Sequence, residues 1–478
     1  MAWEKEVCGS VGLATGLARL DTVEAAKRGS SLELRWAAHQ TAGHRGRATQ
    51  HAWREVSLPE EVGEERSEPR EVQAKCTPLE VAVHDLAHCE RVVRDLTFGR
   101  RIGFYQLRHN IGNGNFSQVR LGIHDLTKEQ VAVKILDKVH LDKHSQRLFS
   151  AEVSCMEKLS HPNVVRLYEV VETFRRLYLV MEYASGGELY SSISSRGRMS
   201  DAESRLVFSQ ILSAVRYMHD TNIVHRDLKA QNVFYGAGHV VKVGDFSFSA
   251  EVRPDEVLST FCGSLPYAAP ELFRDEAYVG SFVDLWALGV LLYFMVTASF
   301  PFSGPDLPKL RTSVLQGTYA MPSYVSEPCQ RVIEGLLTLE PAQRSPIARV
   351  MASGWLSGIR YPLPYPPAPS TPAHLAAPAA ELCARERAVK EALEELGITE
   401  EHLKNHSQLD CRSPLTGAYR ILLHRIQKRS AAASAQSASI PANSTDSTAL
   451  QAQALQTLLS GDQVFFIAPT RNAEFPNT

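Results

Sequence analysis

The stretch His225-Arg226-Asp227-Leu228-Lys229-Ala230-Gln231-Asn232 constrains this chain more than any other, because it puts a carboxylate, an ammonium group and a carboxamide within one short loop. These groups do not stand alone. Upstream, Val131-Ala132-Val133-Lys134 places a lysine inside an otherwise apolar strand, which is costly unless the charge is paired. Glu152, on a helix-like stretch that follows, is its natural partner. Downstream, Val240-Val241-Lys242-Val243 reads as a strand that delivers Asp245-Phe246-Ser247. Earlier still, Ile111-Gly112-Asn113-Gly114-Asn115-Phe116-Ser117-Gln118-Val119 is a glycine-rich turn between two strand-like runs. Glycines there let backbone N–H groups approach anionic oxygens without Cβ obstruction. That turn alone reads as a simple hairpin, but ordinary surface charge does not reproduce all these elements in this order.

The texture of the chain places these groups on elements. Residues 1 to about 100 mix charge, alanine and isolated apolar residues without a sustained period, and are expected to be mostly disordered. From Tyr105 strand-like segments appear at Val119–Leu121 with Ile123, Val131–Leu136 and Leu177–Met181. After Gly186 the pattern turns helical, with Leu206, Ile211, Val215 and Met218 on one face and an all-round apolar run from Val283 to Val296. Strands first and helices later predict an α+β unit with two lobes, ending near Trp355. Pro362, Pro364, Pro366, Pro367, Pro369 and Pro372 then predict a semi-rigid extended linker over 357–380. Helical stripes return from about 382 to 428, and the tail from 430 is rich in Ala, Ser, Gln and Thr and expected to be disordered.

Composition excludes some classes. A formal net charge of −2 gives no argument for nucleic acid or an anionic membrane. The eight cysteines form no C-x-x-C pair and read as free thiols of a reducing compartment. The N-terminus lacks the basic-then-apolar order of a signal peptide, and the run Trp286 to Val296 is about half a bilayer span, so it reads as a buried helix. An intracellular protein without a transmembrane segment is expected, cytoplasmic and possible also in the nucleus.

The chemistry that needs this set is phosphoryl transfer. It calls for a base near the acceptor hydroxyl, a positive charge on the transferred phosphate and oxygen ligands for Mg²⁺. Asp227, Lys229 and Asn232 supply these in one loop, and Asp245 supplies a second metal ligand.

With those motifs in order, and Ala269-Pro270-Glu271 after them, residues Tyr105 to about Leu356 resemble the eukaryotic protein kinase domain. The resemblance implies a small β-rich N-lobe, a larger helical C-lobe and ATP in the cleft. It implies that residues 111–119 cover the nucleotide, that Lys134 holds the α- and β-phosphates and pairs with Glu152, and that Asp227 is the base. It places Asn232 and Asp245 on Mg²⁺, Met181 as gatekeeper, Glu182 and Ala184 in the adenine-binding hinge, and Glu188 on ribose and basic substrate residues. Lys229 resembles the lysine of Ser/Thr kinases, and Phe248 the bulky residue that favours serine acceptors. Glu271 and Arg344 resemble a structural ion pair, and Asp284, Trp286 and Gly289 a scaffold helix.

Leu258 to Glu271 resembles the activation segment of AMP-activated-protein-kinase-related kinases, with Thr260 as the activating phosphothreonine and a liver-kinase-B-type upstream enzyme. A phosphate there would dock on Arg226. Ser154–Leu159 and Tyr168–Thr173 resemble most the new-inducer-of-mitosis (Nim-one) branch of that group, and Leu396–His402 its tail, where relatives carry a ubiquitin-associated-like three-helix module, here 385–428. Three positions depart from the pattern. Ser117 and Ser247 replace glycines, and Gln231 replaces a glutamate that receives basic substrate residues. Ser247 shifts the expected balance of its segment, since glycine reaches torsions that cost serine. A pseudokinase scaffold is the alternative reading, and a ubiquitin-binding adaptor acting through 385–428 a third.

Overall fold

The computed structural model describes residues 76–437 apart from 115–116, 141, 254–255, 275 and 406–409. The expectations of disorder for 1–75 and 438–478 lie outside the described residues. The chain divides into two compact units of an α+β protein. The first takes in the chain up to Glu157 with Val165–Ala184 and Pro366–Arg429, and the second Lys158–Val164 with Ser185–Tyr365.

The first unit is built on a six-stranded antiparallel sheet. Its strands are β1 (Arg101–Ile102), β2 (Tyr105–Asn113), β3 (Ser117–His124), β4 (Gln130–Asp137), β5 (Leu167–Glu172) and β6 (Arg176–Glu182), in the spatial order β1-β2-β3-β4-β6-β5. Val131 and Val133, two apart on β4, are fully buried on one face, as strand alternation requires. Gly122 lies opposite Val131, where an added Cβ would sit 2.9 Å from the valine Cγ2.

Three further helices follow, Ala384–Glu395, Glu400–Asn405 and Pro414–Ser437; the first two and the last as far as Arg429 belong to the same unit, and the last extends past the expected boundary at 428. Ile421 of the last helix enters the cluster formed by Ile102, Tyr105, Val131, Val133, Tyr178 and Val180 on the sheet. Gly417 permits this approach, because a Cβ there would lie 2.3 Å from Glu169 Oε2 and 2.9 Å from the Tyr105 hydroxyl. Polar ties reinforce the packing. Val170 N–H donates to the Cys411 carbonyl at 2.8 Å, Arg420 Nη2 to Glu157 Oε1 at 2.7 Å and Arg425 Nη2 to Glu129 Oε2 at 2.6 Å.

Two sequence expectations are corrected here. Residues 78–97, read as part of a mostly disordered region, form two helices, Pro78–His88 and Glu90–Thr97. The first starts at a capping box, in which the Thr77 side chain accepts from Glu80 N–H and the Glu80 carboxylate accepts from Thr77 N–H. Its Leu79 joins Leu393, Ile398 and Leu422 in one apolar cluster, and Leu79 N–H donates to the Leu396 carbonyl. A lone helix of that length is marginal in water, so its order depends on this long-range burial, which local periodicity does not display. The linker 357–380 is not extended throughout either. Pro372–Ala376 forms a short 3₁₀ helix, and Leu375 is fully buried in the same cluster.

The second unit is mainly helical. Ser200 caps the helix Asp201–Asp220 by accepting from Glu203 N–H, and Ile211, Val215 and Met218 on that helix are fully buried. Gly280–Thr297 is long and apolar enough to cross a membrane by composition, but 83% of that window is buried inside the protein, which makes it a core helix. Glu271 and Arg344, both buried, form a two-pronged ion pair with both bonds at 2.7 Å.

Glu169 gives the first unit a measurable signature. Burial lifts its carboxyl from 4.5 to about 7, against the lowering effects of the Tyr105 hydroxyl, which donates to it at 2.6 Å, and of Arg420. The unfolded chain therefore releases this proton first as pH rises, and the fold loses stability between about 4.5 and about 7 through this group. Glu169→Gln is expected to flatten that part of the stability profile, checked by melting both proteins across pH 4–8; parallel profiles for the two proteins would contradict it.

Candidate active site

Within the first unit, the glycine turn joins β2 and β3. Gly112 pairs with Val119 and Asn113 with Gln118, and Gly114 N–H donates to the Ser117 carbonyl at 2.8 Å. A Cβ on Gly114 would lie 2.7 Å from Ser117 Oγ, so a larger residue at 114 would have to turn that hydroxyl aside. Ile111 is exposed, while Asn115 and Phe116 lie outside the described residues. Lys134 sits on the central strand β4, paired with Val119 on one side and Leu179 on the other. Its Nζ lies 2.6 Å from Glu152 Oε1 on the helix Lys143–Lys158, and both residues are buried. This is the pairing that a buried lysine requires. Met181 and Glu182 end β6, where Glu182 N–H donates to the Arg166 carbonyl, and Ala184 follows, half-buried.

In the second unit the catalytic loop is held by its backbone. Asp284, completely buried on the core helix, accepts from Arg226 N–H through Oδ1 at 2.8 Å and from His225 N–H and His219 Nε2 through Oδ2 at 2.9 and 2.8 Å. Burial alone would raise its pKa. The hydrogen bond and charge of His219, with those of His225, outweigh burial and hold the carboxylate below its ordinary value.

That anchor sets the geometry of Asp227. Lys229 Nζ donates to Asp227 Oδ2 at 2.7 Å and to Ser264 Oγ at 2.9 Å. Asn232 Nδ2 donates to the Asp227 carbonyl at 2.9 Å and to Asp227 Oδ2 at 3.1 Å. Asp227 Oδ1 is buried and has no hydrogen-bond partner among the described residues. One oxygen is thus fixed by a cation and an amide, and the other is a buried acceptor with unused lone pairs.

Asn232 and Asp245 are brought together by two short strands, β7 (Val233–Tyr235) and β8 (Val241–Val243). Val233 pairs with Val243, and Gly244 N–H donates to the Asn232 carbonyl at 2.8 Å. Asp245 takes the left-handed torsion, φ 57°, while Phe246 is buried against His225 with ring centroids 5.1 Å apart. Ser247 is not among the residues with positive φ, so it carries none of the expected backbone cost.

Asn232 and Asp245 present hard oxygens, with the amide nitrogen of Asn232 already committed to Asp227. Among the described residues no group of three or more His, Cys, Asp or Glu makes a self-contained metal cage. This partial oxygen set fits Mg²⁺, which binds through one or two protein ligands and completes its shell with phosphate and water.

Glu188 stands at the N-cap position of the helix Leu189–Arg196 without a capping hydrogen bond from its side chain and is half-buried, with its pKa raised by burial against a Ser191 hydrogen bond and the charge of Lys229. Thr260 is exposed, and its carbonyl accepts from the Tyr278 hydroxyl at 2.7 Å. Arg226 Nη1 reaches the same hydroxyl at 3.4 Å. Ser264 and Tyr278 carry site contacts that sequence reasoning did not assign. Only the pairing of Val257–Leu258 with Tyr278–Val279 brings Tyr278 there, and strands of two residues leave no periodic signal.

The protein kinase domain family matches residues 105–356, somewhat more than half of the chain. The chain belongs to the protein kinase family. Its kinase domain is 45% identical over 256 residues to "Serine/threonine-protein kinase SIK1" of Rattus norvegicus, a match covering 54% of this chain and 33% of the relative. The same figures hold for "Serine/threonine-protein kinase SIK1" of Mus musculus. "Serine/threonine-protein kinase SIK2" of Gallus gallus is 44% identical over 256 residues, covering 54% of this chain and 32% of the relative. The match thus spans about a third of the length of these curated relatives.

Asp284→Ala in this domain strips three donors of a buried acceptor, and is expected to cost about 3 kcal/mol of stability. Urea unfolding of the two proteins checks this; an unchanged midpoint would show that the loop holds itself.

Proposed function

We propose that the chain is a Ser/Thr protein kinase that transfers the γ-phosphate of Mg·ATP to hydroxyls of protein substrates. The observation that carries this reading is the asymmetry of the Asp227 carboxylate, with Oδ2 fixed by Lys229 and Asn232 and Oδ1 left without a hydrogen-bond partner among the described residues. An acceptor hydroxyl that meets the Asp227 carboxylate gives its proton to it as its own oxygen bonds to phosphorus, and the bond to the ADP oxygen breaks. Lys229 offsets charge on the transferred group. Mg²⁺ bound through Asn232 and Asp245 would neutralise phosphate charge. Lys134, oriented by Glu152, handles the α- and β-phosphates. Backbone groups of Glu182 and Ala184 take adenine, beside Met181, and Glu188 serves ribose or a basic substrate residue. The relatives named as serine/threonine-protein kinases support the acceptor class.

Further parts of the reading are finer. Phosphorylation of Thr260 activates the enzyme, supported by the Tyr278 hydroxyl that links the Thr260 backbone to Arg226. An upstream kinase of the liver-kinase-B type installs that phosphate, and the protein works in the cytoplasm or nucleus. Placement in the Nim-one branch rests on Ser154–Leu159, Tyr168–Thr173 and Leu396–His402. The three helices after residue 383 act as a ubiquitin-associated-like brace on the sheet, supported by Ile421 and Gly417.

Asp227→Asn is expected to lower radiolabel transfer to a peptide library by at least about a thousandfold while nucleotide affinity stays within about twofold. Substantial transfer by that variant would remove Asp227 from the role of base. Thr260→Ala is expected to leave only basal activity, equal to that of phosphatase-treated wild type; equal rates for phosphorylated and unphosphorylated wild type would end the switch reading.

A further inference from the structure

We infer that the arginines gathered around the turn at Gly99 in the first unit dock an acidic segment of this same chain, the glutamate run from Glu60 to Glu65. Between residues 91 and 120 the sequence carries six arginines, Arg91, Arg94, Arg100, Arg101, Arg108 and Arg120, against one acid, Asp95. Glu60, Glu61, Glu64 and Glu65 form a run without a basic residue, shortly before the first helix. The net charge of −2 for the whole chain thus conceals two local charges of opposite sign.

The fold brings several of these arginines, and one from a distant strand, to a single turn. Gly99, at φ 65°, follows the helix Glu90–Thr97 and leads into β1. Its N–H donates to the Leu96 carbonyl, and Arg100 N–H donates to the Asp95 carbonyl, so the turn is fixed. Arg120 on β3 donates to the Gly99 carbonyl through Nη1 at 3.3 Å. Its Nε and Nη2 donate to the Arg108 carbonyl at 2.8 and 2.6 Å. Arg176, at the start of β6, places Nη1 3.8 Å from where a Cβ on Gly99 would sit. The Arg100 guanidinium lies over the exposed Phe98 ring, 6.0 Å from its centre.

These charges are held in place without being neutralised. Backbone carbonyls orient the Arg120 fork but carry no net charge. Of the six arginines only Arg101 forms an ion pair among the described residues, with Asp125. Arg176 forms none; Asp137, opposite it across the sheet, uses Oδ1 to accept from Val139 N–H. Guanidinium groups that converge on one turn repel one another, and a carboxylate between them relieves the repulsion and gains paired hydrogen bonds. Arg100, Arg108 and Arg176 are exposed, so their donors are reachable from solvent. Reach also fits the glutamate run. Extended at about 3.4 Å per residue, the chain from Glu65 to Thr77 spans about 40 Å. The two helices from Pro78 to Thr97 together rise by about 30 Å at most, at about 1.5 Å per residue. The run therefore reaches the turn along any path, and tethering presents it at an effective concentration on the order of millimolar.

The test uses the full chain in two variants, Arg100→Lys and Arg176→Lys, which keep the charge and supply an amine. A carbodiimide joins a carboxylate to an amine it touches, and mass spectrometry of the digest locates the link. Links from residues 60–65 to position 100 or 176 are expected at about 50 mM salt, and are expected to fall at least about fivefold at about 0.5 M salt, where the screening length is about 4 Å. Lys128, exposed on the same unit, is the reference amine. Links to the new amines that are no more frequent than links to Lys128, or that ignore salt, overturn the inference. Mixing chains of two isotopic compositions separates links within one chain from links between copies; links mainly between copies give the surface to a second copy and overturn it too. In a second arm, wild type and the double variant Arg100→Glu with Arg176→Glu are sedimented with phosphatidylserine vesicles at about 150 mM salt. Equal, background sedimentation of the two is expected. Vesicle binding by wild type that the charge reversal abolishes assigns the arginines to an anionic membrane and overturns the intramolecular reading.

Discussion

A single buried carboxylate sets the catalytic loop. Asp284 accepts from two consecutive backbone N–H groups, those of His225 and Arg226, and from His219. A buried charge is tolerated only when its lone pairs are filled, and three donors fill them here. Because the bonds go to backbone, the loop is fixed whatever its side chains do. Arg226 is held at a positive φ of 63°, which turns the chain so that Asp227, Lys229 and Asn232 converge. Gly263, at φ 104°, passes so near that a Cβ would lie 2.6 Å from the Arg226 carbonyl. The chain at Gly263 and the loop at Arg226 are therefore packed backbone to backbone.

The first unit depends on a different kind of constraint. Its sheet has an apolar face that the chain must cover, and it does so with its own C-terminal helix. Ile421 supplies the apolar contact, Gly417 the close approach, and Arg420 and Arg425 the charged ties to Glu157 and Glu129. Glu169, buried beside them with its carboxyl lifted to about 7, is the cost of packing a polar strand residue under that helix. The N-terminal helices 78–97 then close over the helical module through Leu79, so segments more than 300 residues apart share one core.

Legibility in the sequence followed the kind of signal each feature leaves. Lys134 and Glu152 were readable because a charge in an apolar strand demands a partner, and a helix supplies it at 2.6 Å. The loop from His225 to Asn232 was readable because its polar groups are close together along the chain. The α+β order was readable from the change of period near Gly186. Residues 78–97 and Leu375 were not readable, because their order comes from burial against residues distant in sequence. Tyr278 and Ser264 were not readable as site residues, because neither is near Asp227 along the chain.

The sequence by itself determined the inventory: which residues carry charge, which of the longer strands and helices of 105–356 form, and which family the ordered motifs belong to. Those follow from short-range rules of spacing and period. Only the tertiary structure decided that Asp227 keeps one oxygen without a hydrogen-bond partner, that Ser247 bonds to Asp245 and sits in ordinary backbone, and that the helix Pro414–Ser437 enters the sheet's core. Each of these depends on where one atom lies relative to another across a turn or a packed interface. Hydrogen bonds and close contacts are decided within a few tenths of an ångström, and no linear pattern of residue types fixes distances to that precision.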